Sequence, residues 1–261
     1  TLGMTDLPLL SEPNLQQQLV EIGYQGKKLE ELEGLSATEK AKMLFIVQDP
    51  YTSYYDAKVV RDFVVLTQKL GFEPILLPFK PNGKAMHIKG FLARFSKTAK
   101  TQAEFLNRVA KLNVPLVGVD PAIVLSYRDE YKEALGDSRG DFHVLTAHEW
   151  LTNQLDSNTL QSAVKNIAKP DRTFEWHLFP HCTESTFMPN SPKEWQYIFA
   201  QFGQTLNVEK VGCCGMAGVF GHEVQNQTMS KDIYDISWGK KMQGKAASAD
   251  AEAAESYLED N

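Results

Sequence analysis

The sequence predicts an α/β protein made of two related three-layer lobes with short, mostly parallel sheets. Two observations carry this. Short continuous apolar runs alternate with segments whose apolar residues recur every three or four positions, the pattern of parallel strands joined by helices. The second half of the chain then restarts the order of the first.

Residues 1–42 mix Gly, Pro and scattered charge around two short helical stretches, Asn14 to Ile22 and Lys27 to Leu32, and read as an arm or linker. Met43-Leu-Phe-Ile-Val47 is the first strong element, a wholly apolar run ending in Gln48-Asp49-Pro50, as expected of a strand buried on both faces. Ala57, Val60, Phe63, Val64, Thr67 and Leu70 trace one face of a helix that Gly71 stops. Phe72 to Phe79 reads as a second strand, and Phe91 to Phe95 and Glu104 to Leu112 as helices. Val114-Pro-Leu-Val-Gly-Val119 is a third strand, again closed by Asp-Pro. Residues 43–136 thus form the first lobe.

Residues 137–172 connect the lobes. They hold the polar stretch Asp137 to Asp141 and a helix from Thr146 to Leu155, where Glu149 stands three places after Thr146 as in a capping box. The second lobe, residues 173–261, has a strand from Phe174 to Phe179 ending in Pro180-His181-Cys182 and a helix from Ser191 to Phe202. A strand from Val208 to Val211 follows and ends in Gly212-Cys213-Cys214-Gly215. A shift of 132 places lays Pro50 on Cys182 and Pro81-Asn82-Gly83 on Cys213-Cys214-Gly215, which argues for an internal duplication. The first lobe continues to a third strand and Asp120-Pro121. The second passes into a helical, Ala- and acid-rich Ala246 to Glu259, so it is expected to lack its last strand. The fold expected is two tandem Rossmann-like lobes, the second truncated.

At 261 residues the chain lies between one large domain and two small ones, taking about 150 residues per domain. With 43% hydrophobic and 23% charged residues it can bury a real core. The longest apolar run, around Leu44 to Val47, is far short of the roughly 20 residues of a bilayer span, so a soluble protein is expected. A net charge of −6 without a block of Lys or Arg speaks against nucleic acid or an anionic membrane as partner. Residue 1 is Thr and no secretion signal follows, which leads us to expect a piece cut from a longer chain. Three cysteines, an odd number, suit a reducing cytoplasm better than a disulfide framework.

Those cysteines carry most of the chemistry. Cys182 is separated by thirty residues from Cys213 and Cys214, and each follows a predicted parallel strand, where open α/β sheets place ligands. The two loops are expected to converge. Thiolates beside Gly212, Gly215, Ala217, Gly218 and Gly221 suit an iron–sulfur cluster, because glycines let backbone amides reach the sulfurs. Three other readings stand beside it: inert buried cysteines, a zinc site, which prefers pairs two to four residues apart, and a thiol redox centre. A Cys213–Cys214 disulfide is disfavoured, since neighbouring Cα atoms lie ~3.8 Å apart and disulfides need about 4.4 to 6.8 Å. Adjacent His181 is poorly placed to activate Cys182, because neighbours on extended chain face opposite ways. The series Gly212, Gly215, Gly218, Gly221 matches neither phosphate-binding glycine motif.

Cys-x30-Cys-Cys-Gly followed by Met216-Ala-Gly-Val-Phe-Gly221 resembles the cysteine-rich CCG domain family. That domain occurs, usually as two copies, in iron–sulfur subunits of several oxidoreductases. Together with Val119-Asp-Pro-Ala-Ile-Val-Leu-Ser-Tyr-Arg-Asp-Glu-Tyr131, the motif is similar to the C-terminal part of the large bacterial FAD-linked D-2-hydroxyacid dehydrogenases, over roughly residues 43–240. The resemblance implies an electron-transfer module of a D-lactate or D-2-hydroxyglutarate type of enzyme. Cys182, Cys213 and Cys214 would be metal ligands, most simply of a [4Fe–4S] cluster, with Gly212, Gly215 and Gly218 lining the cofactor.

The same resemblance implies that FAD binds only elsewhere in the full-length protein. The partners would be the flavin-binding and ferredoxin-like regions of that protein and a downstream electron acceptor, in the cytoplasm or peripheral to the inner face of the membrane. In the first lobe Pro50, Pro81, Asn82 and Ala122 stand where cysteines would be, so that lobe is expected to be scaffold. The closing cysteine of the second would follow Asn261, and a [4Fe–4S] cluster normally takes four thiolates. The competing class is a non-redox docking domain with vestigial cysteines.

Of the remaining polar residues, His181 and His222 are candidates for a fourth ligand, while His143, His148 and His177 have no ligand spacing and read as structural. Tyr51, Tyr54, Tyr55 and Asp56 are expected in packing. Arg128, Asp129 and Glu130 are expected on a solvated helix face, and Glu184 is a weak candidate acid or base.

Overall fold

A computed structural model describes residues 3–5, 8–157, 160, 163–164 and 175–246. The chain divides into two compact units, one of residues 8–176 and 183–206, the other of residues 1–7, 177–182 and 207–261.

The larger unit opens with helices α1 (Leu15–Glu21) and α2 (Ala37–Lys40), followed by strand β1 (Met43–Val47) and helices α3 (Pro50–Tyr54) and α4 (Ala57–Lys69). Strand β2 (Glu73–Leu76), helices α5 (Lys84–Ile88) and α6 (Leu92–Ala110) and strand β3 (Leu116–Gly118) come next. Helices α7 (Pro121–Arg128) and α8 (Glu130–Leu135), strand β4 (Val144–Thr146) and helix α9 (Ala147–Asp156) complete the first half of the chain. The strands make an all-parallel sheet in the order β2-β1-β3-β4. Alternate residues of a strand face opposite sides. Met43, Phe45 and Val47 therefore enter one core with α6, α7 and α8, and Leu44 and Ile46 enter a second with α1, α4 and α9. Burial on both faces is the reason this strand reads as an unbroken apolar run.

Asp-Pro after a strand proves to be a helix start. Asp49 caps α3 by accepting the N–H groups of Tyr51 and Thr52 at 2.7 and 2.9 Å, and Asp120 caps α7 by accepting that of Ile123 at 2.9 Å. Each proline occupies the first turn, where its missing N–H is no loss. Thr146 and Glu149 form the expected capping box of α9.

Later elements are β5 (Glu175–Leu178), α10 (Cys182–Phe187), α11 (Ser191–Gln201), β6 (Thr205–Val208) and α12 (Gln227–Ala246). Strands β5 and β6 form a two-stranded parallel sheet. The fold is thus α/β with short parallel sheets, as expected. Among the described residues no helix is long and apolar enough to cross a membrane.

Several elements differ from expectation. The two helices expected within 91–112 are one, because Ala99, Gln102 and Ala103 continue the buried face with residues too small or too polar to register as apolar. Lys27 to Leu32 yields only a 3-10 turn, Leu29–Leu32. Strand β6 begins three residues earlier than expected, at Thr205, two places after Gly203 (φ +70°) has turned the chain out of α11. The helix expected over Ala246 to Glu259 lies outside the described residues. Arg128 and Glu130 do not sit on a solvated face. Arg128 grips the Glu149 carboxylate through both its terminal nitrogens, at 3.0 and 2.5 Å, and donates to the Val144 carbonyl, while Glu130 pairs with Lys84. The end of α7 abuts β4, so a long guanidinium there reaches partners invisible in linear order.

Candidate cysteine site

All three cysteines belong to the smaller unit. Cys182 is the first residue of α10 and is exposed, Cys213 is exposed, and Cys214 is half-buried. The Cys-Cys-Gly loop is tied to α12 by three hydrogen bonds. Gly212 donates its N–H to Ser237 Oγ and accepts the Trp238 indole N–H, both at 3.0 Å, and Ser230 Oγ donates to the Gly215 carbonyl at 2.9 Å. Trp238 also packs its ring on Phe179 at 5.0 Å.

Gly215 is needed for two separate reasons. Its φ of +84° is disfavoured for any residue with a Cβ, and a Cβ there would collide with the Ser230 carbonyl oxygen. Its N–H donates to Cys213 Sγ at 3.4 Å, the kind of amide-to-sulfur bond that iron–sulfur sites use. Gly218, at φ +68°, turns the chain again.

The expected convergence of the loops is not seen. Among the described residues no group of three His, Cys, Asp or Glu side chains is placed to hold a metal ion.

In the first half of the chain, the positions that the 132-place shift lays on the cysteines serve local structure. Pro50 begins α3 and Ala122 lies in the first turn of α7. The Asn82 carbonyl accepts the Tyr131 hydroxyl at 2.6 Å, and its side-chain oxygen accepts the Lys84 N–H at 2.9 Å. Burial raises the Asp49 carboxyl above its ordinary range, with the charge of Asp120 adding to the shift. Tyr54 packs on Phe79 with ring centroids 5.0 Å apart.

Of the histidines in the second half of the chain, His177 is tied to an acidic partner. His177 Nδ1 lies 3.0 Å from Glu209 Oε1, which Lys241 also approaches, at 3.3 Å through Oε2. The carbonyl of His222 accepts the Thr5 N–H at 2.8 Å, and His181 is exposed. Glu184, buried, takes hydrogen bonds from the Ser191 hydroxyl and the Trp195 indole, which leaves it a structural acceptor rather than an acid facing a substrate.

His148 is buried among Thr146, Glu184, Glu194 and Trp195. Burial pushes its imidazole below the ordinary value near 6.5, while Glu184 and Glu194 pull the other way. The folded chain therefore keeps this ring neutral, and the unfolded chain takes up the proton first. The contribution of His148 to stability is complete above about pH 6.5 and falls as the pH drops below it, by at most about 1.4 kcal/mol per pH unit. Comparing urea midpoints of wild type and His148→Gln between pH 7.5 and 5 should show a steeper acid loss for wild type. Parallel profiles would overturn this account.

The sequence reading missed a cleft of about 710 Å³ in the smaller unit. One wall is the α12 stripe Gln227, Lys231, Tyr234 and Trp238, and Cys214 and Met216 contribute the other. Its signal was present in the spacing 227, 231, 234, 238, which keeps one face of a helix.

No family model matches the chain, and no solved structure matches it. Curated relatives do. The chain is 82% identical over 245 residues to a D-2-hydroxyglutarate dehydrogenase of Haemophilus influenzae, which covers 94% of this chain and 24% of that protein. It is 56% identical over 242 residues to the protein of that name in Escherichia coli K12, covering 93% and 23%, respectively. For the Pseudomonas putida protein of the same name the identity is 36% over 240 residues, covering 92% and 23%. The chain thus spans about a quarter of the length of the curated relatives it matches.

Proposed function

We propose that this chain is part of a D-2-hydroxyglutarate dehydrogenase and serves it as an electron-transfer module with an iron–sulfur cluster held by Cys182, Cys213 and Cys214. The observation that carries the first half is similarity over more than nine-tenths of the chain to proteins of that name. The donor chemistry supports the second half: three soft thiols in one compact unit, one already accepting a backbone N–H, on a loop anchored by Gly212 and Gly215. Three thiols are one short of the usual four, so the remaining ligand is assigned to the rest of the full-length protein. A bound cluster supplies one-electron relay. This chain's own residues tie the loop to α12 and place the Gly215 amide beside Cys213 Sγ, a contact of the kind that tunes potential. Flavin chemistry belongs outside the chain, with the flavin-binding and ferredoxin-like regions as donors and a downstream acceptor as the exit.

The test uses the full-length protein prepared without oxygen. Wild type should contain iron and acid-labile sulfide and absorb near 400 nm. Cys213→Ser should lose the iron attributable to this site, about four atoms per chain for a [4Fe–4S] cluster, while its flavin content is unchanged. Equal iron in wild type and Cys213→Ser, or an iron-free wild type, overturns the cluster assignment and favours the docking reading.

A further inference from the structure

The cleft between α12 and the Cys-Cys-Gly loop has the size of a small-molecule site. At about 710 Å³ it falls within the usual range of roughly 300 to 1,000 Å³. Its lining is graded. The Tyr234 and Trp238 rings and the Met216 thioether give a soft apolar body, and Gln227 and Lys231 give hydrogen-bond donors toward the N-terminal end of the same helix. Trp238 is fixed by its bond to the Gly212 carbonyl and its packing on Phe179, so this wall is formed before any ligand arrives. The Lys231 ammonium is turned to solvent and steadied by Asp235 at 3.0 Å. Aromatic and thioether walls select a flat π system, whereas an amide and an ammonium at one end select oxygen acceptors on that ring. Cys214 lies on the wall of the same cleft.

We infer that this cleft binds a flat aromatic molecule carrying ring carbonyl oxygens, of the quinone class, with the ring against Tyr234, Trp238 and Met216 and an oxygen toward Gln227 and Lys231. Its identification as the electron acceptor rests on the electron-transfer reading above, but the binding does not.

The probe is 2,3-dimethyl-1,4-naphthoquinone, whose substituted ring carbons discourage addition of the cysteine thiols. Titrated into the intact 261-residue chain, it should quench tryptophan fluorescence saturably, and Trp238→Phe should remove most of that quenching. Equilibrium dialysis should show Kd raised about tenfold by Tyr234→Ala and about threefold by Lys231→Ala, the sizes expected of one aromatic contact and one solvated donor. Ile236→Ser, at an exposed position outside the cleft, should bind as wild type does, and cyclohexane-1,4-dione, which lacks the aromatic face, should not compete. Absence of saturable binding overturns the inference, as does an unchanged Kd in a Tyr234→Ala chain that melts like wild type. Binding retained by Cys213→Ser together with an iron-free full-length protein would keep this site and remove the cluster. Iron without binding would remove this site alone.

Discussion

Gly215→Ala is expected to unfold the Cys-Cys-Gly loop from α12 while leaving the larger unit folded. The added methyl is unwelcome twice: the left-handed φ of +84° costs an alanine about 1–2 kcal/mol, and the Cβ would strike the Ser230 carbonyl oxygen. Backbone cannot retreat as a flexible side chain can, so overpacking adds about 1–3 kcal/mol. Gly71→Ala is the matched control, since Gly71 has φ +87° and nothing within 4 Å of the position a Cβ would take. It should show the backbone strain alone. Hydrogen exchange should then report lost protection across α12 in Gly215→Ala, with the amides of β1 and β3 unchanged. Equal effects of the two substitutions would show that the close approach to Ser230 contributes nothing.

The second large effect belongs to Trp150 in the larger unit. Its indole is 1% exposed and meets Phe72 and Phe63 edge-on, with ring centroids 4.9 and 6.1 Å away. Trp150→Ala leaves a cavity among rings that cannot close on one another and should lower stability by about 3–5 kcal/mol, read as a fall in the urea midpoint. The indole N–H is buried and finds no acceptor among the described residues. Leaving a donor unsatisfied has its own penalty of about 1–3 kcal/mol. Trp150→Phe removes that donor along with part of the volume and is expected to cost clearly less than Trp150→Ala. If the two variants lose the same stability, ring volume does not set the loss and the packing account of this site fails.

These effects separate what linear order reveals from what it hides. The strand Met43–Val47 was legible because burial on two faces demands five apolar residues in succession, and α4 was legible because burial on one face demands a period near 3.6. The Asp-Pro turns and the Thr146–Glu149 box were legible for a related reason: caps are made by residues within three places of one another. Strand β4 was not, since three residues carry no period, and its place is set by pairing with β3. The unity of α6 was hidden where the buried face uses Ala99 and Gln102. Arg128 looked solvated because its partners, Glu149 and Val144, come sixteen or more residues later.

The candidate site divides along the same line. Local chemistry in the chain determines that three thiols follow predicted strands, that two are neighbours, and that glycines surround them. Tertiary structure alone decided that Gly215 lies against Ser230, that Trp238 locks Gly212, and that a stripe of α12 forms a cleft with Cys214. Propensity, capping and period act over a few residues and are written in the order of the chain. Close backbone approach, paired charge and enclosed volume arise between residues distant in that order, and only the folded chain brings them together.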